Sequence, residues 1–233
     1  MKRKIEHLRP PSKGNTKRSN ARPCFGVRFY ALVFKRSFFV LVMVSLASFV
    51  CSFPCVAFSG SRLSGSSAAA SCRAFLPLVS GFGGSVGVGC ASGVDSVVRS
   101  AFLSASVFRV SSFAVGGRVS RASFALRSSA LVSWCASSGG LLVAFPLGAC
   151  PVGVAVSASF RGCGSGSWGS VALALGLGVP VLVVSPVGVG SAWFGALASC
   201  FRPVGSAPCG GSLWLACPPF GVASSAPVQL ALF

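Results

Sequence analysis

Four apolar runs constrain this chain more than any other feature: CVAFSGSR at 55–62, SVGVGC at 85–90, GLLVAFP at 140–146 and VPVLVVSP at 179–186. Each is of strand length, is punctuated by Gly or Pro, and alternates little between apolar and polar positions. Strands buried on both faces of a parallel sheet read this way. Between them lie segments of helical character at 66–76, 95–104, 121–137 and 168–177, and a fifth short run, SVFRV, at 106–110. Strand alternating with helix implies right-handed crossovers and a parallel sheet covered by helices on both faces. Five strands and four helices are expected. Val94, Val98, Ala101, Phe102 and Ala105 form one helical stripe, and Leu126, Ala130 and Trp134 another, both expected to face the core.

The flanks differ from this middle. All five lysines and six of the fifteen arginines precede residue 37, and Pro10, Pro11, Gly14 and Pro23 interrupt that region, so residues 1–36 read as a basic flexible arm. Residues 37–53 (SFFVLVMVSLASFVCSF) are uncharged and follow Lys35 and Arg36. Such a segment suits a short transmembrane anchor, the apolar part of a signal sequence, or a buried element. A later uncharged stretch, 162–201, is cut by Gly and Pro into pieces of strand length, which favours buried strands over a membrane span. From 187 to 233 Gly, Pro, Ser, Cys and Trp recur without periodicity, and an irregular extension is expected there.

Charge and cysteine usage exclude several chemistries. The chain carries 20 Lys+Arg against only Glu6 and Asp95, a formal net charge of +18. Paired-carboxylate acid–base catalysis is therefore not available, and polyanions are natural partners. Beyond the arm, nine arginines against Asp95 leave +8, spread out rather than gathered in a stripe. The eleven cysteines are odd in number, form no CxxC, and have only His7 as a possible histidine co-ligand, so no metal site is expected. In a reducing, cytoplasmic setting they serve as small buried hydrophobes, Cys90 in a strand and Cys135 on a helix among them.

Three loops fall at the carboxyl ends of the expected strands, where open α/β sheets bind ligands and where helix N-termini offer free N–H groups. The first is Ser59–Arg62, in which Gly60 permits a tight turn, Ser61 can donate a hydrogen bond and Arg62 can hold a phosphate. The second is Gly89–Asp95, with Gly93 free to adopt an unusual backbone conformation and Asp95 placed to cap the next helix. The third is Gly162–Trp168, a Gly/Ser loop suited to wrapping a phosphate, without the Lys of a Walker A loop.

Taken in order, GSR after the first strand, GxxxGxD after the second, an Arg-bearing helix before GLLVAFP, and GSGSW before ALALGLGVPVLV resemble the superfamily of DNA-processing protein A and the LOG phosphoribohydrolases (SLOG), over residues 54–186. The resemblance implies a Rossmann-like three-layer α/β fold with a parallel sheet of about five strands. It implies loops that bind nucleotide-like phosphates, which nominates Gly60, Ser61, Arg62, Gly93, Asp95, Gly164, Ser165, Gly166 and Ser167, and places Arg127 as the helix arginine facing the ligand. LOG enzymes follow their PGGxGT-like loop with a catalytic glutamate, whereas Gly169, Ser170 and Val171 stand here, so LOG-type hydrolysis is not expected. The resemblance also implies single-stranded DNA as a partner, for which the basic arm is electrostatically suited.

The expected function is thus a module binding a nucleotide or nucleotide derivative, with no other cofactor. Four alternatives stay open: an enzyme acting on a nucleoside monophosphate through water activated by Asp95, a single-stranded DNA-binding recombination accessory, a protein anchored in a membrane through 37–53, and an unselected apolar reading frame.

Overall fold

The computed structural model describes residues 28–35 and 38–217. Residues 1–27, which hold most of the basic arm, and residues 218–233, which hold the last prolines, lie outside the described residues. Strands β1 (Arg28–Lys35) and β2 (Phe38–Ser45) form an antiparallel hairpin with Arg28 opposite Ser45. Helix α1 (Leu46–Cys51) follows at once, started by Ser45, whose Oγ accepts from Ser48 N at 3.1 Å. The apolar segment 37–53 is therefore divided between a strand and one short helix. Among the described residues no helix is long and apolar enough to cross a membrane.

The middle of the chain follows the expected alternation. The elements are β3 (Cys55–Gly60), α2 (Ser67–Phe75), β4 (Ser85–Gly89), α3 (Val94–Ala101), β5 (Ser106–Phe108), α4 (Arg121–Ser137), β6 (Leu141–Phe145), α5 (Gly166–Gly176) and β7 (Val181–Ser185). Serines set three helix starts: Ser66, Ser120 and Ser165 each accept from the backbone N–H three residues on, and Ser120 and Ser123 complete a reciprocal capping box.

The sheet has seven strands in the order β5-β4-β3-β6-β7-β9-β8, not the expected five. β3 to β7 run parallel, with Val56 opposite both Val86 and Leu141. The two further strands are β8 (Arg202–Ser206) and β9 (Ser212–Ala216), antiparallel to each other, with β9 antiparallel to β7. They come from the region expected to be irregular. Pro203 is tolerated because β8 is an edge strand, where its missing N–H breaks no inner ladder, and a register shift between Pro203 and Gly205 interrupts the pattern that sequence periodicity would have shown.

Side chains alternate across the strands into two cores. Ala57, Leu142, Ala144, Val181 and Val183 face α4 and α5, joining Leu131, Trp168, Phe194 and Trp214. Val56, Phe58, Leu141, Val143, Phe145 and Leu182 face the other way, against Leu46, Phe75, Val94 and Val98. Both faces are covered, which is why the runs carry almost no polar residue.

The helix faces depart in part from expectation. On α3, Val94 and Val98 are buried as expected, and Phe102 and Ala105 beyond its end pack against the same core, but the helix ends at Ala101, which is exposed. On α4 the inward face is Ser123, Arg127, Ser128, Leu131, Val132 and Cys135, whereas Leu126 is 52% exposed. The face is rotated because Arg127 pairs with the buried Asp95. Cys135 is buried on α4, and Cys90 lies half-buried just past β4, where its sulfur accepts from Val110 N.

Candidate functional site

The strand order reverses direction at β3. The chain leaves β3 towards β4 and β5 on one side, then crosses back through α4 to β6 on the other. A crevice opens at such a point outside the carboxyl ends of the two central strands. Here those ends are Gly60 and Phe145, joined by Ser61 N donating to Phe145 O at 3.3 Å.

The loop after β3 is held by the start of α3. Gly60 packs so closely that a Cβ there would stand 2.5 Å from Val94 Cγ2. Ser61 O accepts from Val94 N at 3.0 Å, and Ser61 Oγ accepts from Leu63 N at 3.2 Å, tightening the turn. Arg62 O accepts from Ser92 Oγ at 2.6 Å. Gly93 has φ +70° and sits directly against the Ser61 and Arg62 carbonyl region, so a side chain is excluded both by conformation and by space.

With its backbone fixed, the exposed Arg62 side chain reaches across the crevice. Its Cζ lies 4.3 Å from the centroid of the Phe124 ring on α4. Its Nη2 comes within 3.6 Å of the position a Cβ on Gly166 would take, at the first residue of α5. Among the described residues no carboxylate pairs with it, since the one ion pair is between Asp95 and Arg127.

The third loop presents that helix start. Cys163 and Gly164 both have positive φ, +41° and +89°, which turns the chain so that Ser165 N donates to Gly162 O at 2.6 Å. Ser165 caps α5 through Trp168 N, and its carbonyl takes Gly169 N. The amides of Gly166 and Ser167 have no acceptor within the helix. The Ser167 side chain is buried.

Asp95 and Arg127 lie beneath the loops. Asp95, the second residue of α3, does not cap that helix, whose N-cap is Gly93 without a side-chain bond. Its Oδ2 accepts from Ala91 N and from Arg127 Nη1, each at 3.1 Å. Burial pushes the Asp95 carboxyl above its ordinary value, while Arg127, the Ala91 N–H and Arg99 oppose that rise. Arg99 Nη1 donates to Gly89 O at 2.7 Å. Gly89 is the room the pair needs, because a side chain there would meet both the guanidinium and the carboxylate. Arg127 Nε is buried without a hydrogen-bond partner.

Of the nominated residues, Gly60, Ser61, Arg62, Gly93 and Gly166 thus converge at one crevice, Gly164 and Ser165 shape and cap its far wall, and Asp95, Arg127 and Ser167 are buried. Sequence reasoning missed Phe124 and Ser92. Phe124 stands one helical turn before Arg127, the spacing that could have nominated it. The crevice offers helix amides and a guanidinium that has no carboxylate partner among the described residues, and suits an anion. A separate groove of about 680 Å³ lies between α2 and α3, bordered by Arg73, Leu76, Pro77, Val97 and Phe102, and includes none of the three loops.

No family model matches the chain, and no match was found among curated proteins. A solved structure that it is similar to is DNA-processing protein A from Streptococcus pneumoniae, at 15% identity and a TM-score of 0.43. The similar part covers 60% of this chain and 53% of that one, so the match spans about half of that protein's length. The strand order, read directly from the hydrogen-bonded ladder, is what defines the fold.

Proposed function

We propose that the crevice binds a nucleotide or nucleotide derivative through a phosphate group, in a module of the DNA-processing protein A/LOG type that does not carry out LOG hydrolysis. The observation that carries this is the placement of Arg62: a guanidinium with no carboxylate partner among the described residues, braced by Phe124, beside the first residue of α5. An anion in that position would meet a fork of donors and the positive end of a helix dipole together. Gly60, Ser61 and Gly93 set the loop from which Arg62 reaches. The only described carboxylate is occupied by Arg127, so no free carboxylate among the described residues faces the bound ligand.

The test is a thermal-shift titration of the full chain with a nucleoside monophosphate, inorganic phosphate and a single-stranded oligonucleotide, repeated on Arg62→Ala and Gly166→Val. Saturable stabilisation by the mononucleotide is expected, with affinity roughly ten- to hundredfold weaker in Arg62→Ala, the cost of losing a charge-assisted hydrogen bond. Arg62 is exposed, so that variant keeps the fold. No shift with any of the three would overturn the proposal, and a shift with the oligonucleotide alone would replace it by single-strand binding.

A further inference from the structure

Away from the crevice, two cysteines meet in the core. Cys55 is the first residue of β3, and Cys135 stands in the last turn of α4, 80 residues later; their exposures are 1% and 0%. The Cys55 thiol lies 3.9 Å from Cys135 O. Gly140, which leads into β6, covers both: a Cβ at that position would fall within 3.0 Å of each sulfur, so the sulfurs are at most twice that distance apart. The other buried cysteine among the described residues, Cys72, belongs to the opposite core.

We infer that Cys55 and Cys135 are a latent disulfide, a modification site that ties the first strand of the parallel sheet to α4 when the chain meets an oxidising thiol–disulfide pool. The oxidant is a low-molecular-weight disulfide. One cysteine thiolate attacks it, forming a mixed disulfide and releasing one small thiol. The second cysteine attacks the mixed disulfide, forming the Cys55–Cys135 bond and releasing a second small thiol. Two protein thiols are oxidised, the small disulfide is reduced, and the two protons leave on the released thiols.

The folded state delays this step. Burial pushes both thiols up, Cys135 furthest, so little thiolate is present and the oxidant has no path to it. The bond therefore forms while the chain folds or when the end of α4 opens, and once formed it is shielded from reductant in the same way. It is a lock set at folding rather than a fast switch.

The experiment refolds the full chain from denaturant in a mixture of oxidised and reduced glutathione. Remaining thiols are then alkylated, and the unreduced digest is mapped by mass spectrometry. The expected result is a cross-linked peptide pair containing Cys55 and Cys135. Closing a loop of this length should also raise Tm on the order of 10 °C over the reduced protein, and the rise should vanish in Cys135→Ala. Recovery of both residues alkylated, or joined to other cysteines, while the pool is oxidising would overturn the inference. The mapping is done on the unaltered chain, so it stands even if the variant fails to fold.

Discussion

Asp95 ties the loop after β4 to α4 through Ala91 N and Arg127, and its titration can be isolated because the chain has only one other acidic side chain, Glu6. Burial raises its folded value above the ordinary 3.8, so the folded state holds the proton more tightly than the unfolded chain. Its contribution to stability is fully present below 3.8 and is lost as pH rises through the raised folded value. Urea midpoints measured across that window should fall with rising pH in the unaltered chain and stay flat in Asp95→Asn. A midpoint that rises instead would mean that the attraction of Arg127 outweighs burial. The GxxxGxD spacing made Asp95 visible in the sequence as a helix-start residue. Its true partners were not, because Arg127 lies 32 residues away and pairs with it only once α4 has crossed the sheet. In the same way the loop after the first strand nominated Arg62 as a phosphate ligand, but the contact of its guanidinium with the Phe124 ring could not be read from that loop.

At the scale of elements, the strands were legible because a strand buried on both faces leaves an uninterrupted apolar run, and their alternation with helices fixed the parallel order. Helix faces were less so, and α4 shows why. Its apolar stripe, Leu126–Ala130–Trp134, was expected inside; Trp134 does pack against the core, yet the ion pair turns Ser123 and Arg127 inward and leaves Leu126 at the surface. Periodicity assumes that the buried face is the apolar one, and a buried ion pair breaks that assumption. The assignment is checked by two substitutions on the same helix. Leu131→Ala, at 1% exposure, should cost about 2–5 kcal/mol through lost burial and the cavity left behind. Leu126→Ser should stay within about 0.5 kcal/mol, as surface changes do. Denaturant melts of both variants decide it, and the reverse ranking would restore the face read from the sequence.

For the whole molecule the decisive question is where the folding unit ends, since the site resemblance stops at residue 186 while the sheet does not. β9 pairs along the whole of β7, from Val181 opposite Ala216 to Ser185 opposite Ser212. It also delivers Trp214, which packs on Phe194 at 4.8 Å between ring centroids, itself stacked on Phe201 at 4.6 Å. A chain cut after 186 would expose the edge of β7, a central strand apolar on both faces, and would uncover the Trp168 side of the core, because Phe194 packs edge-on against Trp168. Bare apolar edges of this kind recruit other chains. A 54–186 fragment is therefore expected to aggregate or to melt without cooperativity, whereas a chain extended to 217 should melt in one transition, as followed by circular dichroism and light scattering. The sequence hid this dependence because β8 and β9 are set among Gly and Pro, and β8 itself contains Pro203 and Gly205. If the shorter fragment instead melted cooperatively at the temperature of the longer one, the two antiparallel strands would be an addition to a self-sufficient five-stranded sheet, and the crevice could be studied without them.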